Sequence, residues 1–229
     1  MARQARVDIA QTPYHVINRA VGRTRIFRNE KDYQLFMDLL IRTQEKTGMH
    51  VLAFTLMPNH WHLVLFPEKE GDMKTFMHLL TNAHTRRMHT VTKTTGTGPL
   101  YQGRYKSFII QKDAHLLTVI KYVERNPVRA GLVRKVEDWR WGSGWIRARG
   151  TPKLQKMLSK GPTPLPTNYG AWVNTQDKED ITTGIRTSVN KGAPFGSNDW
   201  VNMMVDEHKL HATLREGGRP KGSKNVKRK

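Results

Sequence analysis

The chain has 229 residues, of which 37% are hydrophobic, a length and composition that suit one packed domain with extensions or two small domains. Lysine and arginine outnumber acidic residues 39 to 19, and the formal charge of +20 indicates a polyanionic partner. Nucleic acid is favoured over a membrane surface as that partner. The absence of cysteine excludes disulfides, thiolate metal sites and cysteine nucleophiles. With no membrane-spanning stretch and no secretory signal, we expect a cytoplasmic protein and no membrane partner.

Hydrophobic periodicity predicts alternating strands and helices over the first half of the chain. Tyr33, Phe36, Leu39 and Leu40 follow helical spacing, whereas the apolar run after Pro58 is typical of a buried strand. In chain order we predict strand, helix, strand, strand, helix, strand and helix at residues 14–21, 30–46, 49–57, 60–66, 72–91, 106–111 and 113–125. This order predicts an α+β fold, a ferredoxin-like or RRM-like sandwich with helices on one face of a central antiparallel sheet.

Composition divides the rest of the chain. A tryptophan-rich stretch ends the first block near residue 150, so we predict one domain over 1–150. Residues 151–168 are dense in proline, glycine and lysine and are predicted to be a linker. Residues 169–214 are predicted to be a helical C-terminal extension. Residues 215–229 carry seven lysines or arginines and one acidic residue, which predicts a basic tail that is disordered when free.

Two histidines lie one residue apart at the start of the strand predicted at 60–66. Side chains alternate along a strand, so His60 and His62 point to one face, about 7 Å apart, and Trp61 points to the other. Two such imidazoles can converge on one divalent metal and leave coordination positions open for a phosphate. The spacing alone is equally compatible with one core histidine and one hydrogen-bond donor, and His15 is expected in the core or in contact with DNA.

The helix predicted at 113–125 supplies a second pair of chemically useful residues. Tyr122 and Asn126 are four residues apart, which on a helix puts them on one face, about 6 Å apart along the axis. A tyrosine hydroxyl beside a metal-bound phosphate can act as a nucleophile, and an amide oxygen can be a hard metal ligand. The alternatives are a half-buried aromatic residue and a residue that ends a helix before Pro127.

Four sequence elements in this order resemble the REP-associated tyrosine transposases, which belong to the HUH single-strand endonucleases. They are YHVINR at 14–19, PNHWHLVL at 58–65, YQGRYKS at 101–107 and YVERNPVRAGLV at 122–133. The resemblance covers roughly residues 10–145 and continues weakly through 192–197 and 217–220.

The resemblance implies that His60, His62 and Asn126 hold Mg²⁺ or Mn²⁺ and that Tyr122 attacks a DNA phosphodiester. The products would be a 5′-phosphotyrosine link and a free 3′-hydroxyl, which can later reverse the step. The implied substrate is single-stranded DNA folded as hairpins, from extragenic palindromic repeats. The implied setting is a bacterial cytoplasm, with the protein on the nucleoid when bound to DNA. The oligomeric state stays open between monomer and homodimer.

Basic and aromatic residues near the predicted site are candidates for DNA contact, and collectively they predict a salt-dependent affinity. Gly218, Arg219 and Pro220 resemble the core of an AT-hook, although the arginine that should precede the glycine is missing. The predicted DNA-binding set is Arg19, Arg23, Arg86, Arg87, Arg104, Tyr105, Lys106, Arg125, Arg129 and Arg219.

Two other functions fit parts of the sequence. A non-catalytic hairpin-binding regulator could use an RRM-like sheet, but the aromatic RRM motif is absent and the histidine and tyrosine pattern would be unused. A plasmid relaxase or replication initiator could share the nuclease core, but the phosphate-binding loop of an attached helicase is absent.

Overall fold

In a computed structural model of the protein, the structure describes residues 7–215. The N-terminal part runs β1 (Tyr14–Arg19), α1 (Glu30–Thr47), β2 (His50–Met57), β3 (His60–Phe66), α2 (Asp72–Thr92), β4 (Lys106–Ile109), α3 (Ala114–Glu124) and α4 (Asn126–Arg129). It is followed by α5 (Ser143–Arg149), α6 (Pro152–Gln155), α7 (Tyr169–Asn174), α8 (Glu179–Lys191), α9 (Asn198–Glu207) and α10 (His211–Leu214). Within 7–215, no helix is long and apolar enough to cross a membrane.

The four strands form one antiparallel sheet in the order β2-β3-β1-β4. With helices after β1 and β3, this order is ferredoxin-like, and the predicted α+β fold class is confirmed. The central pairing of β1 with β3 places Ile17 opposite His62 and Arg19 opposite His60. The register therefore brings the end of β1 next to the two histidines.

Helices cover both faces of the sheet rather than the one face that we predicted. Trp61 and Leu63 lie in a core with Phe36 of α1 and Phe76 of α2. On the other face, Val64 belongs to a second core formed with α3 and α8. The alternation along β3 thus sends Trp61 into the first core and sends both histidines to the face that carries α3.

Local signals fix where the helices begin and end. Asn29 caps α1 by accepting a hydrogen bond from the Asp32 N–H, and Gly48, with φ of 70°, ends the helix in the left-handed region. Asp113 caps α3 in the same way. Pro127 lacks an N–H, and the helical path is broken just before it, between α3 and α4.

The β1 and β4 strands are shorter than predicted because the chain changes partner. After Arg19 the backbone enters a one-turn 3-10 helix around Gly22, whose φ is 59°. After Ile109, the backbone pairs with Phe195 of the C-terminal part, whose N–H donates to the Ile109 carbonyl at 2.9 Å. These contacts cover the edge of β4.

The C-terminal residues pack onto the sheet and α3. The segment 151–168, predicted to be a linker, contains α6, and its Met157 is buried in the first core. Four helices, α7 to α10, occupy the predicted helical extension. Residues 216–229, which hold most of the predicted tail and Arg219, lie outside the described residues.

Candidate active site

A cavity of about 370 Å³ opens between the sheet, the α3–α4 segment and α8. His60, His62, Tyr122 and Asn126 all line it, so the residues that were paired from sequence meet in one place. Its other lining residues are Ile17, Arg19, Met57, Arg129, Ala130, Arg186, Val189 and Asn190.

The two histidines lie side by side on the face that was predicted. The centroids of the His60 and His62 rings are 5.0 Å apart, and the rings are inclined at 74°. Nδ1 of His60 forms a 2.6 Å hydrogen bond with Oδ1 of Asn59. Nδ1 of His62 forms a 2.8 Å hydrogen bond with Nε2 of His15, which lies next to it on β1. Each ring therefore uses Nδ1 to bond the protein, while Nε2 is the nitrogen left for a ligand.

Burial keeps these imidazoles neutral. It lowers the pKa of His60 to about 4, helped by the positive charge of Arg19. Burial is also the main reason why the pKa of His62 is well below its ordinary value, and positive charge from neighbouring histidines and arginines adds to the effect. A neutral imidazole is the form that binds metal, so both side chains are in the required state at pH 7.

The donor set fits a divalent cation. Nε2 of His62 is buried and has no hydrogen-bond partner among the described residues, which is costly unless a ligand uses it. Across 7–215 there is no cluster of three or more histidine, cysteine and acidic residues, so a metal here would depend on two imidazoles and an amide. Such a set leaves positions open for water or phosphate oxygens, as a catalytic rather than a structural site requires.

Tyr122 faces the histidines from the opposite wall. Its ring centroid lies 6.2 Å from that of His62, nearly perpendicular to it. The guanidinium carbon of Arg129 lies 4.1 Å from the same ring centroid, and Arg129 also donates to the Tyr122 carbonyl. These contacts hold the phenol against the cavity.

Asn126 is tied to the helix end as well as to the cavity. Its Nδ2 donates to the carbonyls of Tyr122 and Val123 at 3.1 and 3.3 Å. The helix-ending role that was left open from sequence is therefore present. Because the amide nitrogen makes these bonds, Oδ1 is the atom that remains for a metal ligand.

An acidic residue beyond the site anchors the helix that carries Tyr122. Asp177, between α7 and α8, bonds Nε of Arg125 at 3.0 Å and Nη1 of Arg129 at 2.9 Å. Lys121 is 3.8 Å from the same carboxylate. The guanidinium of Arg125, predicted to contact DNA, is buried and bonded to Asp177 and to the Val173 carbonyl.

The other predicted DNA-binding residues fall into separate places. Arg19, Arg104, Tyr105 and Lys106 line a larger cavity of about 550 Å³ along β4, which shares Arg19 with the first cavity. Arg23 is exposed in the turn after β1. Arg86 and Arg87 are exposed on α2, which packs on the opposite face of the sheet from the histidines.

Sequence reasoning missed Arg186 and Asn190 of α8, which line the cavity beside Tyr122. It also missed the contact between His15 and His62. The apolar spacing of Ile181, Ile185 and Val189 predicted a helix but gave no indication of which surface it would cover. Arg186 and Asn190 each follow a residue of this apolar stripe and are one helical turn apart, and this spacing was the only available signal.

Comparison with known proteins finds one matching family and a solved structure of similar fold. The family described as "Transposase IS200 like" matches residues 8–126, just over half of the chain. The structure of a REP-associated tyrosine transposase bound to a REP hairpin has a similar fold, with a TM-score of 0.54 and 20% identity over 66% of this chain and 87% of that one. A crystal structure described as a transposase of Deinococcus radiodurans gives a TM-score of 0.39 and 18% identity over 57% of this chain and 92% of that one. No curated protein matches the chain.

The family match runs from before β1 to Asn126, and so contains the whole sheet, both histidines and Tyr122. The chain belongs to the IS200-like family of transposases.

Proposed function

We propose that this transposase is a metal-dependent tyrosine endonuclease and strand transferase that cuts and rejoins single-stranded DNA. The observation that carries the proposal is the convergence of His60, His62 and Tyr122 on one cavity. A non-catalytic hairpin binder would have no use for a tyrosine facing two neutral, adjacent imidazoles.

His60 and His62, through their Nε2 atoms, and Asn126, through Oδ1, would hold Mg²⁺ or Mn²⁺. When bound, the cation would polarise the scissile phosphate and stabilise the charge that develops during attack. Neutral imidazole is a borderline ligand that suits Mn²⁺ better than Mg²⁺, so we expect stronger binding of Mn²⁺ in vitro.

Tyr122 would act as the nucleophile. Its oxygen forms a bond to phosphorus while the bond from phosphorus to the 3′-oxygen of the preceding nucleotide breaks. The phenolic proton passes to solvent and the departing 3′-oxygen takes up a proton. The products are a 5′-phosphotyrosine link and a free 3′-hydroxyl, which can attack the link and rejoin a strand without an external energy source.

A folded single strand is the proposed substrate class. The basic residues along β4 lie in a cavity that adjoins the candidate site, which gives a path for a phosphate backbone. A protein of similar fold is bound to a REP hairpin, which supports extragenic palindromic repeats as the DNA. With such a partner, we expect the protein in a bacterial cytoplasm, on the nucleoid while bound.

The test is covalent capture of a hairpin in the presence of Mn²⁺. The DNA is labelled at its 3′ end, because the 5′-phosphotyrosine link retains the fragment on the 3′ side of the cut. We expect a labelled adduct that maps to Tyr122 and disappears with EDTA or with Tyr122→Phe, while hairpin affinity changes by less than about threefold.

The control is Tyr33→Phe, which removes the same hydroxyl from a tyrosine stacked on Trp141 in the first core. It should form the adduct as the wild-type chain does. A Tyr122→Phe protein that still forms the adduct would overturn the assignment of Tyr122 as the nucleophile. A wild-type chain that binds the hairpin but never cuts it would favour the regulator.

A further inference from the structure

Both candidate histidine ligands, His60 and His62, are hydrogen-bonded through Nδ1 to residues that are not themselves ligands. A histidine can bind a metal through Nε2 only if its proton resides on Nδ1, because a neutral imidazole carries one proton on one of its two nitrogens. The partners of the Nδ1 atoms therefore decide whether the cavity can hold a cation.

For His60 the hydrogen bonds define the tautomer. The amide nitrogen of Asn59 donates to the Arg23 carbonyl at 3.1 Å, and a carbonyl can only accept. The amide oxygen of Asn59 is therefore the atom that faces His60, at 2.6 Å from Nδ1. An amide oxygen also only accepts, so the proton of His60 resides on Nδ1 and the lone pair on Nε2.

For His62 the partner is a second histidine, and only one of the two possible directions of this hydrogen bond leaves Nε2 of His62 free for a cation. Nε2 of His15 and Nδ1 of His62 are 2.8 Å apart, so one of them donates. If His15 donates, the proton of His62 resides on Nε2 and blocks it as a ligand. If His62 donates, His15 accepts and carries its own proton on Nδ1, which is buried without a partner among the described residues, and the buried, unpartnered Nε2 of His62 is free to bind a cation.

The surroundings of His15 hold its ring in place for this role. It is fully buried, and its ring centroid lies 4.9 Å from that of Phe108. Its position on β1, the strand that pairs with β3, delivers it to the side of His62. No other described residue forms a hydrogen bond with Nδ1 of His62, and His15 itself does not line the cavity.

We propose that His15 and Asn59 are positioning residues that hold the protons of His62 and His60 on Nδ1, so that both rings present Nε2 to one divalent cation. This inference rests on the proposed metal-dependent function. It assigns roles to two side chains that would act on the cation only through His62 and His60. Residues of this kind change metal affinity by roughly 10- to 100-fold when they are replaced.

The experiment measures Mn²⁺ affinity of the full chain without DNA, by the loss of the free-ion signal in electron paramagnetic resonance. His15→Phe keeps the ring volume but removes the acceptor, and we expect binding to weaken by about 10- to 100-fold. His15→Gln offers an amide oxygen in place of Nε2, and we expect it to restore affinity to within about threefold of wild type.

Asn59 gives an independent pair of variants in a partly exposed turn. Asn59→Leu removes the acceptor of His60 and should weaken Mn²⁺ binding by about 10-fold or more. Asn59→Asp keeps an oxygen acceptor and should bind Mn²⁺ at least as tightly as wild type. Should His15→Phe fail to fold, as judged by its thermal unfolding, this pair and His15→Gln still decide the matter.

The outcomes separate this inference from the function on which it rests. Wild-type affinity in both His15→Phe and Asn59→Leu would overturn the inference and leave the metal site intact. A His15→Gln protein that binds as weakly as His15→Phe would show that ring shape, not an acceptor, matters. A folded wild-type chain that binds no Mn²⁺ would overturn the metal site and the positioning roles together.

Discussion

Arg186 is the only arginine that α8 contributes to the described cavity, where it lies with His62 and Tyr122. Its side chain is exposed, and among the described residues no carboxylate pairs with it. In the proposed reaction, a phosphodiester in this cavity would gain negative charge on its oxygens as Tyr122 attacks. A guanidinium at the rim can stabilise that charge more in the transition state than in the bound substrate.

We therefore expect Arg186→Gln to slow cleavage of a hairpin by about 10- to 100-fold, less than the loss seen when an oxyanion donor is removed from a buried site. Single-turnover rates at saturating DNA measure the effect directly. Arg42→Gln, an exposed arginine of α1 on the other face of the sheet, is the matched control and should cleave at the wild-type rate. Equal cleavage rates in the two variants would show that Arg186 does not contribute to the reaction.

At the scale of elements, the α3–α4 segment is held from two directions. Asp177 bonds Arg125 and Arg129 on one side. Glu124 is buried on another, where it accepts a hydrogen bond from Ser143 at 2.5 Å and another from Tyr169. A buried ion pair restricts the positions of both side chains, because separating them would leave a poorly hydrated charge unpaired at a cost in free energy. The C-terminal extension thereby fixes the helix that presents Tyr122.

Replacement of Asp177 by asparagine tests this anchoring. It leaves Arg125 and Arg129 without their carboxylate while they remain largely buried, and we expect a loss of about 3 kcal/mol in the free energy of unfolding. Tyr122 should also be less well positioned, so the cleavage rate should fall more than hairpin affinity. Asp180→Asn, three residues further on and exposed, is the control for urea unfolding and cleavage. If the two variants unfold alike, the ion pairs do not anchor the helix.

The elements themselves were accessible from sequence because they depend on local patterns. Helical spacing, the caps at Asn29 and Asp113 and alternation along β3 act within a few residues. Alternation also sufficed to place His60 and His62 on one face and Trp61 on the other. The family resemblance then joined Tyr122 to them.

Contacts between residues far apart in sequence could not be predicted in this way. The role of His15 depends on which strand lies beside β1, and that of Arg186 depends on where α8 docks. Both are set by packing between segments far apart in sequence, and a local pattern in one sequence does not show which segments will meet. For the same reason, Arg125 could be recognised as a basic residue near the site but not as a partner of Asp177.

On the scale of the whole molecule, the large positive charge is not evenly available to DNA. Arg125, Arg129 and Arg147 form ion pairs with Asp177 or Glu124 inside the fold. Other basic residues gather along the two adjoining cavities, at Arg19, Arg104, Lys106, Lys191 and Arg186. These residues give the two adjoining cavities a positive lining that favours a phosphate backbone beside the histidines and Tyr122.

The first core contains a titratable group whose effect reaches the stability of the whole fold. Trp61 donates to the Tyr101 hydroxyl at 2.9 Å, and that hydroxyl in turn bonds Nδ1 of His84 at 2.6 Å. Burial lowers the pKa of His84 from 6.5 to about 3, so the folded protein holds this ring neutral. In the unfolded chain the same ring takes up a proton once the pH falls below 6.5.

The sign of the effect follows from this difference in bound protons. Between pH 6.5 and 3 the unfolded state binds up to one proton more than the folded state at His84, so the contribution of this residue to stability is lost as the pH falls through this range. The slope for one such group approaches about 1.4 kcal/mol per pH unit.

His84→Gln keeps an acceptor for Tyr101 but cannot take up the proton. We expect the dependence of its unfolding free energy on pH to be shallower than that of wild type by up to this slope between pH 6 and 4. Urea unfolding at a series of pH values, without metal or DNA, measures both curves. His78→Gln, which changes an exposed histidine of the same helix, should retain the wild-type slope. Parallel curves for wild type and His84→Gln would mean that His84 does not remain neutral in the folded core.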